Sequence, residues 1–523
     1  MRSGTRGEAC RLAIAAASAL LVLAAAGWSS ADNPPPPFWQ YPLQSPSFGS
    51  ASIGDIDHDG KPEIVFGTYF GDEHAYALNA EDGSLKWSFD AGGGPLDAST
   101  AIADVNLDGN LEVLVAASWG IEYCLDGDGN VIWRYPPTGY IDCIDSPSAV
   151  ADVDNDGKPE VIFGAWSGKL YVLNGENGSL AWVADLGSSD YIQSQPAILD
   201  VDGDSQLDIV VASFSDAAKV WALRGNDKKL LWTFQAGDLM YHGPSFADID
   251  EDGRPELAIG CYDGNVYVIN AEDGSERWRY PAGEAMYGPI AIADLNNDGH
   301  LELTASGNTV YVLSHTGGLL WSYPTGNSVF RGATVADVDG DGWLDLAFGS
   351  SDYILRVLKG VDGSEIWTWD LGADNEIDHA PLIADFDGDG DLDLFFIAGY
   401  WQSPNNHGQA YAVHTGAGTG PGWPMFAHDL RHSGLFALPK GILYRSTVDV
   451  FTPGWQSSKL PLTPANDTEI LPFPIMTTLP GAAQDPIATS APLTLYRILA
   501  QNNGPVGNRL RAIKSPAGVD LNY

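Results

Sequence analysis

One repeat constrains this chain more than any other feature. An acidic motif recurs along most of its length, as "ASIGDIDHDGKPEIVFG", "AVADVDNDGKPEVIFG", "FADIDEDGRPELAIG" and "TVADVDGDGWLDLAFG". Its first aspartate falls at Asp55, Asp104, Asp152, Asp200, Asp248, Asp294, Asp337 and Asp385, with spacings of 49, 48, 48, 48, 46, 43 and 48. A second motif keeps step, as in "YALNAEDGSLKW", "YVLNGENGSLAW", "YVINAEDGSERW" and "YVLSHTGGLLW". Its tryptophan closes each unit, at Trp87, Trp133, Trp182, Trp232, Trp278, Trp321, Trp367 and Trp423, and Trp39 is a ninth, upstream of the first loop. A fixed period of this length marks a stacked or circular repeat architecture.

Each unit divides into four short runs of Val, Ile, Leu, Tyr and Trp separated by Gly, Asp and Asn. In the third unit they are "SPSAVAD", "PEVIFGA", "KLYVLN" and "LAWVAD". Four strands per unit of about 45 residues is a propeller blade. The expected fold is all-β, an eight-bladed β-propeller of four-stranded blades with a small C-terminal β segment. The tryptophans are expected to wedge between neighbouring sheets. Trp39 and Trp423 both lie on outer-strand patterns, so either can complete the eighth blade.

The acidic motif carries the chemistry. Carboxylates at positions 1, 3 and 5 of a tight turn can converge on one cation, and Gly at position 6 permits the reversal. Position 9 supplies a further carboxylate. The candidate ligands are Asp55, Asp57, Asp59 and Glu63 in the first loop, and Asp104, Asn106, Asp108 and Glu112 in the second. The third has Asp152, Asp154, Asp156 and Glu160, and the fourth Asp200, Asp202, Asp204 and Asp208. The fifth has Asp248, Asp250, Asp252 and Glu256, and the sixth Asp294, Asn296, Asp298 and Glu302. The seventh has Asp337, Asp339, Asp341 and Asp345, and the eighth Asp385, Asp387, Asp389 and Asp393. All are hard oxygen donors, which selects Ca²⁺ over zinc or copper. Like charges packed in one turn are destabilising without a cation. Ser205 replaces the turn glycine in the fourth loop, so a weaker site or a different turn is expected there.

Charge sets the outer limits. The chain has 26 Lys and Arg against 69 Asp and Glu, a net charge of -43, which disfavours nucleic acid and anionic membrane as partners. The first 31 residues read as a signal peptide, with Arg2, Arg6 and Arg11 before an apolar run from Leu12 to Gly27 and small residues at Ser29, Ser30 and Ala31. Its removal leaves a secreted, periplasmic or cell-surface protein with no membrane span. Residues 32–436 form the propeller and 437–523 a β module or extended arm. Of four cysteines, Cys10 leaves with the leader. Cys124 with Cys143 is one pairing, and three buried thiols with Cys261 is the alternative. The sequence leaves the oligomeric state open.

The acidic loops resemble the FG-GAP/VCBS repeats of the integrin α-subunit propeller. The resemblance covers about residues 45–400 and implies calcium between the first and second strands of each blade, on one face of the ring. The tryptophan motifs, "ALNAEDGSLKW" and "VINAEDGSERW" above all, resemble PQQ-like propeller repeats. Quinoprotein dehydrogenases of that kind carry an adjacent cysteine pair against the quinone, and this chain has no Cys-Cys. An oxidoreductase is therefore disfavoured. The FG-GAP resemblance implies extracellular binding, adhesion or matrix contact and names no ligand; an extracellular glycan or a surface protein is the expected partner. Some eight-bladed calcium propellers are polysaccharide lyases, which keeps a lyase or hydrolase as the alternative.

A ligand is expected on the face away from the loops. Tyr241, Tyr287 and Phe330 lie seven residues before a calcium-loop aspartate, and His242, Arg331 and His379 lie six before one. Equivalent positions converge near the ring axis, where aromatic faces beside Arg and His suit a sugar or an acidic polysaccharide. Trp401 and His407, on the long loop "AGYWQSPNNHGQAY", are a second candidate contact.

Overall fold

The computed structural model describes residues 34–187 and 190–416, with the short strands Thr419–Trp423, Ile498–Gln501 and Arg509–Ala512. Every regular element among them is a β-strand. Eight antiparallel blades, seven of four strands and the seventh in order with a fifth added at its inner edge, make an eight-bladed propeller, as the repeat implies. In the first blade the strands are Ser52–Gly54, Glu63–Gly67, His74–Asn79 and Leu85–Asp90, from the axis outward.

Burial follows position in the blade. The second strands, such as "EIVFG", "EVIFGA" and "DLAFG", are buried at every residue. A neighbouring blade covers each of their faces, so they read as continuous apolar runs without alternation. The outer strands alternate between exposed and buried, because only one face is covered. Phe66, Phe163, Phe348 and Phe395 occupy the second strands and are fully buried.

The tryptophans are the joints between blades. The indole of Trp87 donates to Gly127 O of the next blade at 3.0 Å, Trp133 to Gly175 O at 2.7 Å and Trp182 to Gly225 O at 2.9 Å. Trp232, Trp278 and Trp321 repeat the bond. Each ring also lies on a turn glycine. A Cβ at Gly129, whose φ is +81°, would sit 2.8 Å from the Trp87 ring. The D-G turn therefore needs glycine twice, for its backbone angle and for the indole above it.

Closure falls to the N-terminal strand. Pro37–Leu43 pairs antiparallel with His407–Gly416 and becomes the outer strand of the eighth blade. Its Trp39 donates to Ala80 O at 2.7 Å, the same joint made to the first blade. Trp423 takes a different place. Its strand Thr419–Trp423 pairs with the innermost strand of the seventh blade, with Val335 opposite Trp423. The two tryptophans share an outer-strand pattern, and only the pairing separates them.

Cys124, Cys143 and Cys261 are free thiols, so the Cys124–Cys143 pairing is not formed. Ile498–Gln501 and Arg509–Ala512 pair as antiparallel strands, in the stretch where a small C-terminal β segment is expected. The leader and most of 437–523 lie outside the described residues. Among the described residues no helix is long and apolar enough to cross a membrane.

Candidate metal loops and the axial mouth

Each acidic loop joins the innermost strand of a blade to the second, so all eight emerge on one face. Backbone amides shape them on a common plan. Asp55 accepts from Asp59 N and Gly60 N, both at 3.1 Å, Asp59 accepts from Lys61 N at 2.9 Å, and Glu63 reaches back to Ile56 N at 3.0 Å. The same bonds recur in the third loop through Asp152, Asp156 and Glu160. The fourth loop keeps this turn without its glycine. Ser205 adopts φ +68° and still donates to Asp200 at 2.8 Å. The expected alternative turn is not adopted, and the substitution costs left-handed strain instead.

The loops fit a hard cation. In the Asp55–Asp57–Glu63, Asp152–Asp154–Glu160, Asp200–Asp202–Asp208, Asp248–Asp250–Asp252 and Asp337–Asp339–Asp345 groups, three carboxylates bring oxygens within 4.8 Å of one another. Oxygens across a calcium ion stand about 5 Å apart. Asp208 Oδ1, Asp248 Oδ1 and Asp345 Oδ1 are buried with no hydrogen-bond partner. A buried carboxylate oxygen without a partner is costly, and a cation removes that cost. Burial, with neighbouring aspartates adding to it, pushes Glu160, Asp208 and Asp345 up to about 8. Glu63, Glu112, Glu256 and Glu302 rise to about 7, first through burial.

Several loops hold partial substitutes for that charge. Lys86 contacts Asp57 and lies 3.6 Å from Glu63, and Arg224 lies 3.3 and 3.1 Å from Asp202 and Asp204. Arg277 contacts Asp250, and Lys359 lies 3.4 Å from Asp339. In the second and sixth loops the side-chain amides of Asn106 and Asn296 donate to Glu112 and Glu302 at 2.9 and 3.1 Å. In the eighth, His414 Nδ1 lies 2.8 Å from Asp393.

The opposite face carries the loops that enter each innermost strand and those that leave each second strand. Five of the six ligand candidates meet there. Tyr287 and Phe330 stand 5.1 Å apart, Tyr241 and Phe330 6.2 Å, and the Arg331 guanidinium lies 5.7 Å from the Tyr241 ring centre. His242 Nε2 lies 2.9 Å from Phe330 O. Arg331 crosses the axis from the seventh blade to the second, donating to Asp97 O at 2.9 Å and lying 3.4 Å from its carboxylate. His379 plays another part. Its Nδ1 lies 2.8 Å from Ala380 O, and Nε2 accepts from Ile397 N at 2.6 Å. Burial lowers it to about 4, and holds His242 well below its ordinary value with Arg331 adding to the effect.

The same seven-residue offset marks residues the sequence reading passed over. It falls on Phe48, Asp97, Asp145, Gln193 and Asp378 in the other blades. Asp145 is pushed up to about 7 by burial and by Asp97. A second position, just after the second strands, is aromatic in six blades: Tyr69, Trp119, Trp166, Phe214, Tyr262 and Trp401. Phe48 packs 4.3 Å from Tyr69, Tyr69 5.7 Å from Trp401, and Tyr262 5.2 Å from Tyr287. Trp401 thus joins the mouth, while His407 lies exposed at 3.3 Å from Asn375. Aligning all eight blades, rather than the three with conspicuous aromatics, would have found both rings.

An FG-GAP-like repeat model matches residues 55–115, 152–211 and 200–259. These stretches, which hold the first five acidic loops, are similar to FG-GAP-like repeats. A model described as outer membrane protein assembly factor BamB matches residues 253–401, so PQQ-type repeats share the later blades. No curated protein matches the sequence significantly. Among solved structures, the propeller is similar to the computationally designed Ika8 protein, at 15% identity and TM-score 0.51, over 72% of this chain and 99% of that one. It is similar to the quinohemoprotein alcohol dehydrogenase ADHIIG of Pseudomonas putida HK5, at 13% and 0.52, over 74% and 77%. The quinohemoprotein alcohol dehydrogenase of Comamonas testosteroni gives 12% and 0.53, over 74% and 77%. At such identities the likeness is one of fold alone, and a PQQ oxidoreductase is not favoured.

Proposed function

We propose that this chain is a calcium-stabilised binding propeller that works outside the cytoplasm and meets a glycan at its axial mouth. The observation that carries the calcium half is the set of buried carboxylate oxygens left without partners in the loops, at Asp208, Asp248 and Asp345. Residues at positions 1, 3, 5 and 9 would hold the ion, whose charge offsets the like-charge repulsion within each loop. The role is structural, because the loops lie on the face away from the mouth. The leader-like N-terminus and the BamB-model match support a periplasmic or extracellular location.

The glycan half rests on the mouth's aromatic residues standing beside hydrogen-bonding groups, a pattern suited to sugar rings. An acidic polysaccharide fits less well, since Asp97, Asp145 and Asp378 at the mouth position outnumber Arg331 beside it. His242 and His379 do not suit proton transfer, being buried and bound to backbone groups. Screening neutral and charged oligosaccharides with calcium and with chelator tests the reading. Saturable binding lost on Tyr69→Ala and Trp166→Ala is expected. Absence of binding to every glycan class would remove the glycan half.

A further inference from the structure

We infer that the mouth binds an internal stretch of a neutral, β-1,4-linked glycan, laid over exposed aromatic rings on the rim of the first four blades. This rests on the glycan reading and narrows it. Among the described residues, the exposed large apolar side chains divide by face. Every aliphatic one lies on an outer strand, as Leu85, Val131 and Leu230 do, or on the loop face, as Leu107 and Val361 do. On the mouth side all are aromatic: Phe70, Trp119, Tyr140 and Tyr191. Asp142, Ser167 and Asp190 stand between them in the same turns and loops. A protein partner calls for a continuous apolar patch. Separate rings in a polar surround suit pyranoses, whose C–H faces lie flat on an aromatic face.

The rings are held ready. Trp119 rests on Gly94, where a Cβ would come within 2.6 Å of the indole, and it is still 56% exposed. Its turn is bonded to the loop that carries Tyr140, with Ile141 N donating to Gly120 O at 2.9 Å. That loop is bonded in turn to Trp166, whose N donates to Cys143 O at 3.0 Å. Trp166 stacks on Tyr191 at 5.2 Å, and Tyr191 O accepts from Phe214 N at 2.7 Å. Hydrogen-bonded turns thus fix platforms on successive blades, with little left to order when a ligand arrives.

Three features choose the ligand. The platforms stand on separate blades, so an extended chain reaches several of them and a single sugar does not. A β-1,4-linked chain is a flat ribbon, whereas an α-1,4-linked one coils away from fixed platforms. Acids lie among the rings, and the nearby Arg134 is held by Gly139 O at 2.7 Å and by the Tyr123 ring, so a polyanion meets repulsion there. Arg331 spans the axis to Asp97, which leaves the rim as the path for the chain and its ends unbound.

Calorimetry on the full chain with calcium tests this, using cellohexaose, cellotriose, end-reduced cellohexaose, xylohexaose, maltohexaose and a galacturonate hexamer. Cellohexaose or xylohexaose should bind, and the hexaose should bind at least about tenfold more tightly than the triose, with no loss on reducing its end. Trp119→Ala and Tyr140→Ala should each weaken the hexaose by about tenfold or more at an unchanged melting temperature, since both side chains are exposed. Equal binding of triose and hexaose, or loss on reduction, would overturn the internal-stretch reading and keep the glycan one. Preference for maltohexaose or the galacturonate hexamer would overturn the ligand class. Hexaose binding unchanged in both variants would move the site off this rim. Binding of none of the six would overturn this inference, leaving the wider oligosaccharide screen to decide the glycan reading.

Discussion

The two faces of this ring are built from the same eight blades and follow opposite rules. On the loop face every blade repeats one answer, with an acid or Asn at position 3 and acids at positions 1, 5 and 9. On the mouth face the same structural position holds Phe48, Asp97, Asp145, Gln193, Tyr241, Tyr287, Phe330 and Asp378 in turn. A position that must do the same job in each blade stays the same. A position that faces the axis is shared among blades, so one ligand can be met by different groups from several sides. The loop face thus reads as scaffold and the mouth as the place where specificity is held.

Experiments can break that division. Chelation should have the largest effect, because it removes the cation from every loop together. A site held at a hundredfold excess over Kd contributes about 2.7 kcal/mol, so the loss across the loops should lower Tm by more than about 10 °C in a calorimetric scan. Next comes Trp39→Ala, which removes both a buried indole and the joint to Ala80, at a cost of about 3–5 kcal/mol. A smaller loss is expected from Trp423→Ala. Equal losses would mean that Trp39 has no special part in closing the ring.

Asp208→Asn should remove one calcium and lower Tm by a few degrees, without altering ligand binding at the mouth. Loss of mouth binding in that variant would show that the faces are coupled. Asp145→Asn should act in the opposite sense and least. Burial, with Asp97 adding to it, pushes its carboxyl up to about 7, well above the ordinary carboxylate range. A raised carboxyl favours the folded state at low pH and penalises it as pH climbs through about 7. The amide escapes that penalty, so the variant should match the parent near pH 4 and melt higher at pH 8, by roughly 2 °C or more. A lower melting point at pH 8 would mean that Asp145 is a structural group.

Much of the scaffold was legible in the sequence, for a physical reason. Repetition reports a local constraint eight times over, so the acidic turn, the D-G hairpin and the tryptophan joint each announce themselves. The second strands show as apolar runs because both faces are buried. Ring closure was not legible, since Trp39 and Trp423 carry the same local pattern and pairing across the chain decides between them. The part of His379 was hidden for a similar reason. Its offset matches Arg331, yet it bonds the backbone of its own blade. Asp97, Asp145 and Gln193 were passed over because a non-repeating position carries no signal until the blades are superposed.

The central claim is that calcium in the loops holds this ring together. Elemental analysis of the purified chain after dialysis against trace calcium measures it directly. About eight calcium ions per chain are expected, one for each acidic loop, with their removal tracking the loss of the cooperative melt. A chain that retains no calcium and melts at the same temperature with and without chelator would contradict the account.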